Sequence, residues 1–139
     1  MNNHTILSKA TVPLESLEKQ LEGKLFYDHT MRLLYATDAS AYKEMPLAVA
    51  IPKTKEDIQK IIAFAREYKS SVIPRAAGTS LAGQVVGNGI IVDISQEFTK
   101  IISIDEVAKT AWVEPGVIRD ELNLHLKPYK LFFGPETST

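Results

Sequence analysis

The sequence predicts an α+β fold, in which a βαβ unit with parallel strands is followed by antiparallel strands and a helix. An apolar run over residues 47–51 ends at Pro52, as expected for a buried strand. A helical pattern over residues 54–69 then leads through a short link into a second apolar run, residues 71–73. Strand, helix and strand in this order specify a right-handed crossover, and therefore two parallel strands.

The residues before the first strand are less clearly patterned. Leu14, Leu17 and Leu21 recur at helical spacing, which predicts a helix over residues 13–22. In residues 25–35 the apolar residues recur with no clear period, so both helix and strand stay open for this segment.

The helix of the βαβ unit has its own start signal. Thr54 is placed to act as its N-cap, and Asp57 three residues later resembles a capping box with the shorter acid in place of glutamate. We predict that one apolar stripe of this helix packs on the sheet, and it consists of Ile58, Ile61, Ile62 and Ala65.

A small-residue loop, residues 74–84, follows the second parallel strand. Its short side chains leave backbone N–H groups unshielded, so an anionic group can approach closely. Arg75 beside it offers a fixed positive charge with a planar donor fork. The carboxyl end of a parallel strand is where open α/β sheets bind ligands, so we predict an anion-binding loop, with a plain connection as the alternative.

Two known phosphate-binding loops do not fit this stretch. Gly78 and Gly83 match the first half of a P-loop, but Gln84 and Val85 stand where that motif requires Lys and then Ser or Thr. The dinucleotide fingerprint G-x-G-x-x-G is also absent from this loop. A nucleotide triphosphatase and the usual nicotinamide-binding loop are therefore both disfavoured.

After the loop the pattern changes from parallel to antiparallel. Residues 90–94 form an apolar strand, and the apolar runs 100–104 and 110–114 are predicted to pair as a hairpin around residues 105–109. Trp112 lies in the second strand of this hairpin, and we expect it to be a core or sheet residue.

A helix is predicted over residues 117–126, and its buried residues at helical spacing are Ile118, Leu122 and Leu126. The run Leu131-Phe132-Phe133 predicts a further buried strand. Turn-forming residues 134–139 follow without a closing element, from which we expect this chain to be a piece of a longer protein.

Composition limits the possible functions. The formal net charge of -1 and the scattered basic residues argue against nucleic-acid binding, which depends on phosphate neutralisation. The chain has no cysteine, so it supplies no disulfide, thiolate zinc site or iron–sulfur cluster. Its three histidines have no partners at ligand spacing, so we assign no metal site and no catalytic residue.

The N-terminal residues lack the basic start and apolar run of a signal peptide. No stretch approaches the roughly 20 apolar residues that a membrane helix requires. We therefore expect no transmembrane segment and a cytoplasmic location.

Several blocks, taken in order and spacing, carry a resemblance to a known family: Pro46-Leu47-Ala48-Val49-Ala50-Ile51-Pro52, Ile73-Pro74-Arg75-Ala76-Ala77-Gly78-Thr79-Ser80-Leu81-Ala82-Gly83-Gln84, Val113-Glu114-Pro115-Gly116-Val117 and Phe133-Gly134-Pro135-Glu136-Thr137-Ser138-Thr139. With them the chain resembles FAD-linked oxidases of the vanillyl-alcohol oxidase type. Residues 35–42 are similar to the lead-in of the glycolate oxidase and D-lactate dehydrogenase branch. The resemblance implies that residues 42–139 are the N-terminal part of a two-subdomain FAD-binding domain, truncated here, and that residues 1–41 are a helical or irregular extension.

The resemblance also implies a cofactor site, in which backbone N–H groups of the loop hold the FAD diphosphate and the end of the chain contacts FAD near the flavin. The implied cofactor-binding residues are Arg75, Ala76, Ala77, Gly78, Thr79, Ser80, Gly83, Gln84, Pro135, Glu136, Thr137 and Ser138. Whether Arg75 touches phosphate or positions the loop stays open. Members that attach FAD covalently through this loop have His where Thr79 stands, so we predict non-covalent FAD.

The function implied is oxidation of a D-2-hydroxy acid of the lactate, glycolate or 2-hydroxyglutarate type, by hydride transfer to FAD in the full-length protein. The resemblance places the substrate-binding and catalytic groups in a C-terminal domain outside this sequence, so this chain alone is expected to be inactive. Large relatives carry iron–sulfur domains, and both such a domain and any membrane association would come from the full-length protein. The alternative is a non-catalytic nucleotide- or phosphate-binding module.

Overall fold

The structure is a computed structural model that describes residues 12–136. Its strands are β1 (Lys24–Phe26), β2 (Ala48–Ile51), β3 (Val72–Arg75), β4 (Ile90–Asp93), β5 (Ile101–Asp105) and β6 (Thr110–Val113). Its helices are α1 (Leu14–Glu18), α2 (His29–Leu34), α3 (Lys55–Glu67) and α4 (Arg119–Leu126), and a 3-10 turn over Lys127–Tyr129 follows α4. The predicted α+β class is confirmed.

The central sheet has the strand order β1-β2-β4-β3. β4 lies between β2 and β3 and is parallel to both, while β1 pairs with β2 in the antiparallel direction. The parallel β2–α3–β3 unit is therefore confirmed, but its strands do not pair directly. All four positions of β2 and of β4 are buried, because these two strands occupy the middle of the sheet.

α3 packs on this sheet through an apolar stripe that differs from the predicted stripe in some of its residues. Ile61, Phe64 and Ala65 are buried in the core with the sheet residues. Ile62 is 51% exposed, so its predicted burial is wrong. The buried residues 57, 61, 64 and 65 lie on one face of the helix. Residue 62 lies about 100° around the helix axis from residue 61, outside that face.

Asp57, in the first turn of α3, is fully buried and connects three chain segments. Its backbone N–H donates to Thr54 Oγ1 at 3.2 Å, as the predicted N-cap requires. Its carboxylate accepts from the N–H groups of Lys53, Glu22 and Gly23, each at 2.9 Å. Burial raises the pKa of Asp57, but these N–H donors outweigh burial and hold that pKa below its ordinary value.

The hairpin of β5 and β6 forms a separate two-stranded antiparallel sheet, as predicted. All four positions of β6 are exposed. Trp112 is 72% exposed, so of its two predicted placements, core or sheet, the structure has the sheet placement. The exposure of β6 has a topological cause, since among residues 12–136 the hairpin hydrogen-bonds to no strand of the central sheet and does not extend its buried faces.

α4 buries Leu122 and Leu126 as predicted. Ile118 is the N-cap rather than a residue of the helix and is 60% exposed, so its predicted burial is wrong. Residues 131–133 form no strand, and Phe132 is 78% exposed, which corrects the predicted buried strand. In the part of the chain that the structure describes, no helix combines the length and apolar character needed to cross a membrane.

Candidate functional site

The small-residue loop leaves the carboxyl end of β3 and returns to β4, as the sequence predicts. Gly78 and Gly83 both have a φ of 71°, in the left-handed region that favours glycine. A Cβ at Gly78 would lie 2.5 Å from the Arg75 guanidinium, and one at Gly83 would lie 2.8 Å from the Tyr42 ring. Both glycines are therefore required where the loop turns against a neighbouring side chain.

The first half of the loop has unused hydrogen-bond donors. Among the hydrogen bonds that residues 12–136 form with one another, none has the N–H of any of residues 76–80 as its donor. Ala76, Ala77 and Thr79 are exposed. The loop therefore presents N–H groups that an anionic ligand can take without breaking a bond within the described chain.

The second half of the loop is held by its own side chains. Ser80 Oγ accepts from the N–H of Gln84 at 3.0 Å and from the N–H of Ala82 at 3.3 Å. The Ser80 hydroxyl donates to Gln84 Oε1. Gln84 and Ser80 thus close the far side of the loop and use the N–H groups of Ala82 and Gln84.

Arg75 points back under the loop. Its Nη1 donates to Thr37 O at 2.8 Å and lies 3.4 Å from Tyr35 O. Its guanidinium carbon is 5.1 Å from the centre of the Tyr35 ring, which is a cation–π distance. The Arg75 side chain is therefore engaged with residues 35–37.

Two carboxylates lie beneath the same loop. Asp93 is buried and accepts from the Tyr35 hydroxyl at 2.6 Å and from the Ser95 N–H at 2.9 Å. Burial and the hydrogen bond to Asp93 raise the pKa of Tyr35 to about 12. A hydrogen bond from the Ser40 hydroxyl is the largest cause that lowers the pKa of Asp38. Hydrogen bonding by Val85 and Ser80 lowers this pKa further.

A groove of about 470 Å³ adjoins the start of the loop. It is lined by Ala76, Ala77, Ser95, Pro115, Gly116, Val117, Ile118 and Arg119. Gly116 lets the turn approach the central sheet, because a Cβ there would lie 2.6 Å from Ile94 O and 2.7 Å from Phe98 O. Residues 115–119 were not predicted as site residues, although the Pro-Gly pair directly after a strand was a visible signal.

The predicted residues at the end of the chain are only partly described. Glu136 Oε1 lies 3.9 Å from Arg119 Nη1, which brings Glu136 to a residue of the groove. Pro135 is exposed beside it. Thr137 and Ser138 lie outside the described residues.

Comparison with known proteins decides the family. The family described as FAD binding domain matches residues 46–139. The chain belongs to this FAD-binding family. The resemblance drawn from the sequence blocks is therefore confirmed, and the loop of residues 74–84 lies within the matched part of this FAD-binding chain.

Curated relatives cover most of this FAD-binding chain. D-2-hydroxyglutarate dehydrogenase of Haemophilus influenzae is 42% identical over 130 residues, covering 91% of this chain and 13% of that protein. Glycolate oxidase subunit GlcD of Bacillus subtilis is 34% identical over 110 residues, covering 78% of this chain and 23% of that protein. The chain thus spans less than a quarter of either relative's length.

Solved structures share the fold of this FAD-binding chain. BBE-like 1 of Physcomitrella patens aligns with a TM-score of 0.69 at 21% identity, covering 83% of this chain and 26% of that one. 4-Ethylphenol oxidase from Gulosibacter chungangensis aligns with a TM-score of 0.68 at 18% identity, covering 84% of this chain and 24% of that one. At these identities the likeness establishes the fold.

Proposed function

We propose that this chain holds FAD without a covalent bond, as the cofactor domain of an oxidoreductase acting on a D-2-hydroxy acid. The observation that carries this proposal is that the N–H groups of residues 76–80, at the carboxyl end of β3, donate no hydrogen bond within residues 12–136. A diphosphate gains from several amide dipoles that converge on it at once, and a small-residue loop gives it close access. FAD fits this arrangement because its two halves are joined by a diphosphate.

The groove beside the loop supports a place for the flavin end of FAD. Residues 115–118 contribute mainly apolar atoms to it, which suits a flat ring system. We propose that Pro135, Glu136, Thr137 and Ser138 complete this end. Bound FAD would supply the hydride acceptor, while this chain would bind and orient it.

Non-covalent attachment follows from the loop chemistry. Thr79 is exposed in the loop and stands where the resemblance implies histidine in relatives with covalently bound FAD, and this chain has no cysteine to form a thioether. We expect acid precipitation of the flavoprotein to leave the flavin in the supernatant. Flavin that stayed with the denatured polypeptide would contradict this attachment.

The substrate class is proposed from the relatives. Two of these relatives are named for D-2-hydroxyglutarate and glycolate, which are both 2-hydroxy acids.

We propose that residues 42–139 begin the FAD-binding domain and residues 1–41 precede it as an extension. We propose that the full-length protein is cytoplasmic and that other parts of it supply the substrate-binding groups, an iron–sulfur domain for onward electron transfer and any membrane attachment. We expect the 139-residue chain alone to be inactive.

The test uses the natural gene product that contains this sequence. We expect the purified protein to show a flavin absorption spectrum, and this spectrum to bleach under anaerobic conditions with D-2-hydroxyglutarate, D-lactate or glycolate. Flavin that no 2-hydroxy acid bleaches would refute the substrate class. Tight mononucleotide binding without flavin would instead establish the non-catalytic binding module.

A further inference from the structure

The Arg75 guanidinium is enclosed by protein atoms on both sides. The Tyr35 ring lies 5.1 Å from its central carbon, and Nη1 donates to Thr37 O at 2.8 Å. On the other side the backbone of Gly78 comes so close that a Cβ there would meet Nη2 at 2.5 Å and Nε at 2.8 Å. The guanidinium thus lies between the loop and the segment that precedes β2.

The Tyr35 ring that supports Arg75 is anchored in the central sheet. Its hydroxyl donates to Asp93 at 2.6 Å, and Asp93 also accepts from the backbone and the hydroxyl of Ser95. Asp93 is the last residue of β4 and lies opposite Arg75 in the parallel pairing of β3 with β4. Arg75 and its aromatic partner are therefore tied to adjacent strands.

The segment of residues 35–39 is also bonded directly to the loop. The N–H of Ala39 donates to Gly78 O at 3.1 Å. Ala36 is fully buried, and its carbonyl accepts from the N–H of Glu44 at 2.9 Å. The segment is thus fixed at its own ends and holds the loop at the same turn where Arg75 packs.

On these contacts we infer that Arg75 is a positioning residue, which holds the loop against residues 35–39 and does not contact the FAD diphosphate. The inference rests on the proposed function and deepens it. It also extends the cofactor site to residues 35–39, which precede the part of the chain that the family matches, residues 46–139.

The arrangement favours positioning over phosphate contact for a physical reason. If the guanidinium turned toward the exposed side of the loop, Nη1 would leave the Thr37 carbonyl and the guanidinium would leave the Tyr35 ring, so the carbonyl would lose its donor. A lysine at this position keeps the charge but has no planar fork to bridge a carbonyl and stack on a ring. Charge and geometry can therefore be separated by substitution.

The test measures FAD affinity of the natural gene product after removal of its flavin, at several ionic strengths. Arg75→Met is expected to weaken FAD binding roughly 10- to 100-fold, because a displaced loop no longer aims its N–H groups. Arg75→Lys is expected to be as weak as Arg75→Met, and Tyr35→Leu, which changes no charge, is expected to reproduce the loss. The salt dependence of binding is expected to match that of the wild type in all three variants.

The control is Arg66→Met, which removes an exposed arginine from α3 and is expected to bind FAD as the wild type does. If Arg75→Lys restored binding, or if Arg75→Met reduced the salt dependence, Arg75 would be a phosphate contact and the inference would be overturned. Wild-type affinity in Tyr35→Leu would overturn it as well. If the wild type itself bound no FAD, the proposed function would fail first. Should Arg75→Met not fold, Arg75→Lys and Tyr35→Leu decide the question.

Discussion

The central sheet and the hairpin show how differently one chain treats its apolar residues. Ile91 in β4 is fully buried, whereas Ile102 in β5 is 63% exposed, although both lie in apolar strand sequences. The difference lies in the surroundings, because β4 has a strand on each side and the hairpin is a sheet of its own. The free energy gained from an apolar strand is therefore set by what covers it.

The largest effect expected from this comparison is on the two isoleucines. Ile91→Ala is expected to lower the free energy of unfolding by about 2–5 kcal/mol, since it leaves a cavity in the buried sheet. Ile102→Ala is expected to cost less than about 1 kcal/mol, because most of its side chain is already in water. Urea unfolding of both variants measures the difference. Equal losses would mean that the hairpin is covered as well as the central sheet.

The carboxylates of the two regions differ in the same way. Asp57 is fully buried and accepts three backbone N–H groups, one from Lys53 and two from the adjacent residues Glu22 and Gly23, so Asp57→Asn is expected to cost about 2–3 kcal/mol. Asp105 accepts the N–H of Ala108 at the exposed hairpin turn, and Asp105→Asn is expected to cost under about 1 kcal/mol. Denaturant midpoints would show this, and an unchanged midpoint for Asp57→Asn would contradict it.

The pKa of Asp57 also predicts a pH dependence. Because the folded state lowers this pKa, the stabilisation is present above the pKa of the unfolded chain, about 4, and is lost as the pH falls through the lower folded value. Asp57→Asn is expected to remove this part of the acid sensitivity. A variant that lost stability in acid as steeply as the wild type would show that other groups cause the effect.

The loop and the end of the chain each contain a glycine, and the surroundings of these two glycines differ. Gly78→Ala is expected to cost about 1–2 kcal/mol of stability and to weaken FAD binding, because alanine is strained at a φ of 71° and its Cβ meets Arg75. Gly134→Ala is the matched control, since the one described residue that its Cβ would meet is Phe132, at 3.6 Å. Calorimetric unfolding is expected to show no shift for Gly134→Ala, and a loss equal to that of Gly78→Ala would remove the case for strain in the loop.

The smallest effect is expected at Tyr35. Tyr35→Phe removes one hydrogen bond to buried Asp93 and is expected to cost about 1 kcal/mol at neutral pH. Because the folded state raises the Tyr35 pKa to about 12, its contribution is complete below pH 10 and is lost as the pH rises through 12. Tyr42→Phe is the control, since Tyr42 is exposed. A Tyr35→Phe variant with the alkaline unfolding curve of the wild type would contradict this role.

Local patterns were sufficient for the framework of the fold. Apolar runs with short links predicted β2, α3, β3 and the hairpin, and the small residues after β3 predicted where the loop lies. The errors at Ile62 and Phe132 share one cause, which is that periodicity identifies an apolar residue without showing what covers it. The cofactor-binding assignments of the individual loop residues remain predictions.

The sequence by itself determined the strand and helix types, the position of the small-residue loop and the family to which the chain belongs, because each of these depends on residues close together along the chain. Only the tertiary structure decided that β4 enters between β2 and β3, and that Arg75 turns toward Tyr35 and Thr37. Those partners are about 40 residues away in sequence, and contacts over such separations follow from the packing of whole elements.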